Sequence, residues 1–107
     1  MSGKIGTTKL FENDRIVVWE AVLAPGENLG VHTHEKSYLA YIIEGSTVES
    51  LDADGNVTAK VEVETGSVQY LGMEGDELVM GGSRFPATHD ARNVGPNTVR
   101  ELLVELK

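Results

Sequence analysis

Between positions 57 and 64 the chain reads VTAKVEVE, and Val57, Ala59, Val61 and Val63 alternate strictly with Thr58, Lys60, Glu62 and Glu64. An apolar period of two fits a strand with one buried face and does not fit a helix. Asp52-Ala53-Asp54-Gly55-Asn56 precedes it as a hairpin loop, and Ser46 to Leu51 supplies the partner run. The same grammar recurs. Arg15 to Leu23 (RIVVWEAVL) is rich in β-branched and aromatic residues and stops at Pro25-Gly26, Tyr38 to Ile43 closes at Gly45, and Gly66 opens Ser67 to Leu71. Val99 to Leu106 (VRELLVEL) contains good helix formers. Its place after Gly95-Pro96-Asn97, at the end of so many strands, predicts a last strand with Leu102, Val104 and Leu106 on one face. Met73 to Thr88 fits the pattern least. It reads as a loop-rich excursion, with a short strand at Glu77 to Met80 and a flexible break at Gly81-Gly82-Ser83. Short, evenly spaced strands with turns between them predict an all-β sandwich or barrel.

At 107 residues, 40% of them hydrophobic, the chain holds one core and is read as a single domain over 1–107. The formal net charge of −8 argues against nucleic acid and against an anionic membrane surface as partners. No cysteine is present, so disulfide scaffolds, thiolate catalysis and cysteine-based zinc sites are excluded together. Met1 to Leu10 carries Lys4 and Lys9 with no apolar stretch behind them. The expectation is therefore a chain without a signal peptide, located in the cytoplasm.

The chemistry-bearing residues are few. His32 and His34 flank Thr33 in a segment expected to be extended, where side chains at i and i+2 share one side of a strand. Two imidazoles so placed are able to give one nitrogen each to the same ion; a structural role fits the same spacing. His89, the remaining histidine, stands in His89-Asp90-Ala91-Arg92-Asn93, between Pro86 and Gly95-Pro96. No Ser-His-Asp arrangement is available without using one of these three, and no phosphate-cradling glycine loop precedes a helix.

Here the chain resembles the cupins. Their first motif spaces a glycine, five residues, His-x-His, three or four residues, a glutamate, six residues and a glycine. This sequence has Gly26, five residues, His32-Thr33-His34, three residues, Tyr38, six residues and Gly45. The second motif ends in a histidine, three residues and an asparagine, matched by His89 and Asn93. The resemblance runs from about Arg15 to the C-terminus. The stretches FENDRIVVWEAVLAPGE and RELLVELK also look like small single-domain cupins related to a β-alanine degradation protein. It implies an all-β, cupin-type jelly-roll β-barrel of two antiparallel sheets, with His32, His34 and His89 holding one divalent metal ion. A homodimer is the assembly it implies.

Two departures matter. Tyr38 stands where the family has a metal-binding glutamate, and a phenol with a pKa near 10 is a poor anionic ligand. Tyr38 is read either as a hydrogen-bond donor to something bound at the ion, and so a catalytic residue, or as an aromatic filling the barrel. Glu35, the nearby carboxylate, has the opposite parity to the histidines and is a minor ligand candidate. Second, Gly66 precedes His89 by about twice the family spacing, and the surplus falls in the excursion, read as a lid or a dimer contact. Gln69 is open to a cavity or a surface position, while Arg84 and Arg92 read as solvated.

The expected function is a metal-dependent enzyme, oxygenase-type, acting on a small polar or anionic metabolite. Fe(II) is the favoured ion, with Zn, Ni, Mn and Co as alternatives. Isomerase or lyase chemistry would also need a general base, and no residue reads as one inside the barrel. The alternatives are a non-catalytic module that binds or senses a small ligand, and a relic site that is empty or filled by zinc.

Overall fold

The computed structural model describes residues 7–107; residues 1–6, part of the segment in which no signal peptide is read, lie outside the described residues. Eleven strands follow one another: β1 (Thr8–Glu12), β2 (Ile16–Leu23), β3 (His32–Thr33), β4 (Tyr38–Glu44), β5 (Thr47–Leu51), β6 (Val57–Glu62), β7 (Val68–Glu74), β8 (Glu77–Met80), β9 (Ser83–Pro86), β10 (Thr88–Asn93) and β11 (Val99–Leu106). They form two sheets, a seven-stranded one ordered β1-β2-β11-β4-β7-β8-β9 and a four-stranded one ordered β3-β10-β5-β6. The strand pairs are antiparallel. The expected two-sheet jelly roll is what the chain forms. Among the described residues no helix is long and apolar enough to cross a membrane.

Alternation decides what lies between the sheets. On β4, Tyr38, Ala40 and Ile42 are buried while Leu39, Tyr41 and Ile43 are exposed. On β11 the inward residues are Val99, Glu101, Leu103 and Glu105. Leu102, Val104 and Leu106 do share a face, but it is the outer one. Apolar residues occupy both faces of this strand, so a shared face did not identify the buried one.

The segment Met73 to Thr88 is not an excursion. β7 runs on to Glu74, turns at Gly75, and continues as the β8–β9 hairpin, paired from Glu77↔Pro86 to Met80↔Ser83. The expected flexible break is the tight turn at Gly81, with φ at +58°. Leu78 is fully buried and Phe85 nearly so, both in the central cluster with Ile42, Leu71 and Leu103. The surplus residues therefore extend the sheet and complete its core, which corrects the reading of them as a loop-rich excursion or lid.

Gly45 is required by a close approach: a Cβ there would overlap the Val63 carbonyl. Asn93 ties three segments together. It is fully buried, its Nδ2 donates to the carbonyls of Leu23 (3.0 Å) and Asn97 (2.6 Å), and its Oδ1 accepts from the Gly95 amide (3.0 Å). That knot holds the C-terminal end of β10, the strand carrying His89, against the end of β2. If β8 is core rather than lid, Leu78→Ala will lower unfolding free energy by about 2–5 kcal/mol, as buried leucine truncations do. Urea denaturation checks this; a loss within about 0.5 kcal/mol, typical of surface changes, would return the segment to the periphery.

Candidate metal centre

The three histidines converge because one short ladder joins two strands. β3 pairs with β10 in the register Thr88↔Thr33 and His89↔His32, reinforced by a 2.9 Å hydrogen bond between the Thr33 and Thr88 hydroxyls. The His34 amide continues the contact by donating to the Ala87 carbonyl (2.9 Å). His32 and His34 point inward as i and i+2, and His89 stands opposite His32. All three are buried.

Their rings form a nearly equilateral triangle, with centroids 4.8, 4.8 and 4.9 Å apart and planes inclined by 65–85°. One nitrogen from each lies within 4.8 Å of the others. His32 Nδ1 lies 2.7 Å from the Gly30 carbonyl, which only accepts, so the proton sits on Nδ1 and Nε2 carries a lone pair. That Nε2 is 3.1 Å from Nε2 of His34. Metal–nitrogen bonds of roughly 2.0–2.1 Å at angles between 90° and tetrahedral set ligand nitrogens roughly 2.9–3.4 Å apart. The spacing fits two ligands of one ion.

The positioning groups lie one layer out. Gly30 adopts φ +105°, a region open to glycine, and this turn aims its carbonyl at His32. Asp90 fixes the turn: Oδ1 accepts from the amides of Gly30 (2.8 Å) and Ala91 (2.7 Å), and Oδ2 from Asn28 Nδ2 (2.7 Å). A ligating imidazole held through its other nitrogen is the usual second layer of a metal site.

Burial keeps the imidazoles neutral. It pushes His34 down to about 2, helped by the charges His89 and His32 would carry, and His89 down to about 4, helped by His32. His32 is lowered by burial and partly restored by its bond to Gly30 and by Asp90. Nδ1 of His34 and Nδ1 of His89 are buried without a hydrogen-bond partner. A cluster of buried, neutral, under-partnered nitrogens suits a divalent cation and costs stability without one.

Tyr38 meets this cluster from β4, its ring stacked on His34 at 4.6 Å and 14°. It does so after the chain has crossed from the four-stranded sheet to the seven-stranded one. Burial, and the charge of Glu101, hold its phenol well above the ordinary value. In the metal-free chain the phenol is therefore neutral. Glu35 is exposed and stands outside the triangle. Arg92 pairs with Glu49 (2.9 Å), and Arg84 with Glu74 and Glu77 (3.0 and 3.2 Å), on the surface.

Between the sheets, beside His89, lies a cavity of about 110 Å³. Gln69 lines it, which settles its direction inward, together with Tyr38, Ser50, Asp90 and Glu101. Glu101 is the residue sequence reasoning missed, and it corrects the expectation that the barrel holds no candidate base. The surface it retains faces the cavity, and burial alone raises its carboxyl to about 7. Its parity with Val99 and Leu103 was the available signal.

No protein-family model matches the chain, and no curated protein matches it. Solved structures do. A cupin domain from Bordetella pertussis superposes with a TM-score of 0.65 at 16% identity, covering 98% of this chain and 99% of that one. An RmlC-like cupin protein from Desulfovibrio desulfuricans gives 0.57 at 16% identity, covering 92% and 78%. The polyketide cyclase RemF from Streptomyces resistomycificus gives 0.60 at 24% identity, covering 92% of this chain and 61% of that one. At these identities the likeness shows the fold, a cupin-type jelly roll.

The neutral histidines give a pH test. Their folded values lie below the ordinary 6.5, so as pH falls through 6.5 the unfolded chain takes up protons that the folded chain does not. Metal-free protein will lose stability with acid, by up to about 1.4 kcal/mol per pH unit for each imidazole. Denaturation midpoints from pH 7.5 to 4.5 will fall less steeply for His34→Gln than for the wild type. Equal slopes would mean that His34 is not buried neutral.

Proposed function

We propose that the chain is a metal-dependent enzyme acting on a small polar or anionic metabolite between the two sheets, with His32, His34 and His89 holding one divalent ion. The observation that carries this reading is the triangle of three buried imidazoles, one of them with its lone pair fixed toward the centre by the Gly30 carbonyl. Three neutral ligands and no carboxylate leave the ion's charge uncompensated in its first layer, which favours an anionic substrate able to bind through two atoms. When bound, the ion supplies Lewis acidity and open positions for substrate.

The chain's own residues supply the rest. Tyr38, neutral and stacked on His34, donates a hydrogen bond to the bound ligand. Gln69 and Ser50 line the same cavity, and the Ser50 hydroxyl is buried without a partner, free to receive or donate one more bond. Oxygenase-type chemistry with Fe(II) is the branch we favour, because three neutral ligands leave coordination positions open. That one similar structure is of a polyketide cyclase supports a catalytic role for this architecture. A cytoplasmic homodimer is part of the proposal. Val104, Leu39 and Tyr70 form one cross-strand row on the outer face of the large sheet, and Leu102, Tyr41 and Val68 the next. Tyr41, Val68 and Tyr70 are about half exposed there, a contiguous apolar patch of the kind that covers itself with a second copy.

Protein purified from metal-replete medium will carry close to one divalent ion per chain by elemental mass spectrometry, and His32→Ala will lose it. Iron content with oxygen uptake on small carboxylates, amino acids or diketones supports the oxygenase branch. Tight zinc without turnover supports a binding module instead. No metal, with no change in His32→Ala, sinks the reading. Light scattering will give twice the chain mass, and Tyr41→Lys with Tyr70→Lys will return it to the single-chain value.

A further inference from the structure

β11 sends two carboxylates to the inner side of the large sheet, and they are treated differently. Glu105 accepts a hydrogen bond from the Trp19 indole at 3.2 Å. Glu101, four residues earlier, has Ala21 and Ile42 as its cross-strand neighbours, and no hydrogen bond or ion pair reaches it among the described residues. An unpaired carboxyl held away from water costs folding free energy unless it remains protonated. Such a group is retained at a cost. Ala21 and Ala40 leave space beside it, and the space is the cavity that also reaches His89, Tyr38, Ser50 and Gln69.

We infer that Glu101 is the proton-transfer residue of this cavity, and that the cavity takes small 2-oxo acids bearing a C–H bond next to the carbonyl. This deepens the proposed function and rests on it. Around Glu101 the lining is Ala21, Leu23, Ala40 and Val99, which offers no second acceptor for an ammonium group. The part of a ligand that meets Glu101 is therefore hydrocarbon. Among the described residues no lysine or arginine lines the cavity, so positive charge for an anionic head comes from an ion at the histidines. At roughly 10–15 Å³ per water-sized occupant, the volume holds on the order of ten non-hydrogen atoms. A ligand of that size has its anionic end at the histidines and its C–H at Glu101.

The step is a proton transfer. The C–H bond beside the carbonyl breaks, its proton passes to a Glu101 carboxylate oxygen, and its electron pair forms a carbon–carbon double bond. The carbonyl π pair moves onto the substrate oxygen, giving the enolate. Return of the proton from Glu101 to carbon restores the ketone, so atoms and charge balance without a further reactant. A carboxyl poised near 7 is matched to giving and taking a proton at neutral pH. The other titratable groups lining the cavity are Tyr38, His89 and Asp90: the first two neutral at that pH, the third committed to Gly30, Ala91 and Asn28.

The probe is 2-oxobutyrate in deuterated buffer, with exchange of its C3 protons followed by proton NMR on metal-loaded protein. The wild type will accelerate exchange, Glu101→Gln will slow it by about 10²–10⁴-fold, and Glu101→Asp will retain part of the rate. Binding of 2-oxobutyrate will persist in Glu101→Gln. A second readout needs no turnover. A carboxyl raised by burial withdraws stability as pH rises from its unfolded value of 4.5 toward 7, so metal-free Glu101→Gln will melt higher than the wild type at pH 8 and no higher at pH 4.5. Exchange at the wild-type rate in Glu101→Gln, or none in the metal-loaded wild type, overturns the inference while leaving the metal site standing. Loss of 2-oxobutyrate binding in Glu101→Gln overturns it in favour of a recognition role. A chain that takes up no metal fails at the proposed function, and this inference falls with it.

Discussion

The site depends on one short piece of pairing, the two-residue strand β3 laid antiparallel on β10. Its register sets His89 across from His32, and its pleat turns His32 and His34 to the same side. A slip of β3 by one residue would send His32 and His34 to the outer face and leave His89 without them. So brief a ladder has little strength of its own, and its surroundings hold it. The Thr33–Thr88 hydroxyl bond and the His34 amide extend it at one end, and Asp90 anchors the Gly30 turn at the other. The buried amide of Asn93 fixes the far end of β10.

The centre is built from neutral donors, and the negative charge that accompanies it stands one layer back. Asp90 faces the turn that aims His32 and favours the protonated forms of His32 and His89, but its oxygens are occupied by backbone amides and Asn28. Tyr38, stacked on His34, remains a neutral phenol in the metal-free chain. The remaining carboxyl of the cavity, Glu101, has no hydrogen bond or ion pair among the described residues. The three acidic groups at this site are thus held differently: Asp90 by backbone amides and Asn28, Tyr38 by its stack on His34, and Glu101 by burial alone.

How much of this was legible in the sequence varied with the range of the interaction. β2, β4, β5 and β6 could be read because alternation and turn residues are local, and the His-x-His pair because strand parity is local too. The convergence of His89 depends on register across 57 positions, which no window reveals, and it was reached through resemblance instead. β8 was read at its observed bounds, Glu77–Met80, but β9 and the pairing between them escaped because β9 has four residues and the turn glycines look like a flexible break. Glu101 escaped because β11 carries aliphatic residues on both parities. With Val99 and Leu103 on one side and Leu102, Val104 and Leu106 on the other, only the neighbouring strands decide which side faces in. Tyr38 reached the cavity, but by a crossing between sheets that the sequence gives no sign of.

The large sheet is open, and its two ends have a consequence of their own. β1 is exposed along its whole length, interrupted by a register shift between Lys9 and Phe11, with Lys9 and Lys107 both paired to Glu12. At the opposite end the four-residue β9 carries Arg84, held by Glu74 and Glu77. Bulges, short strands and fixed charges each discourage the addition of a foreign strand. Along residues 7–107 both rims of the sheet are thus guarded, and the backbone there offers a poor template for fibre growth.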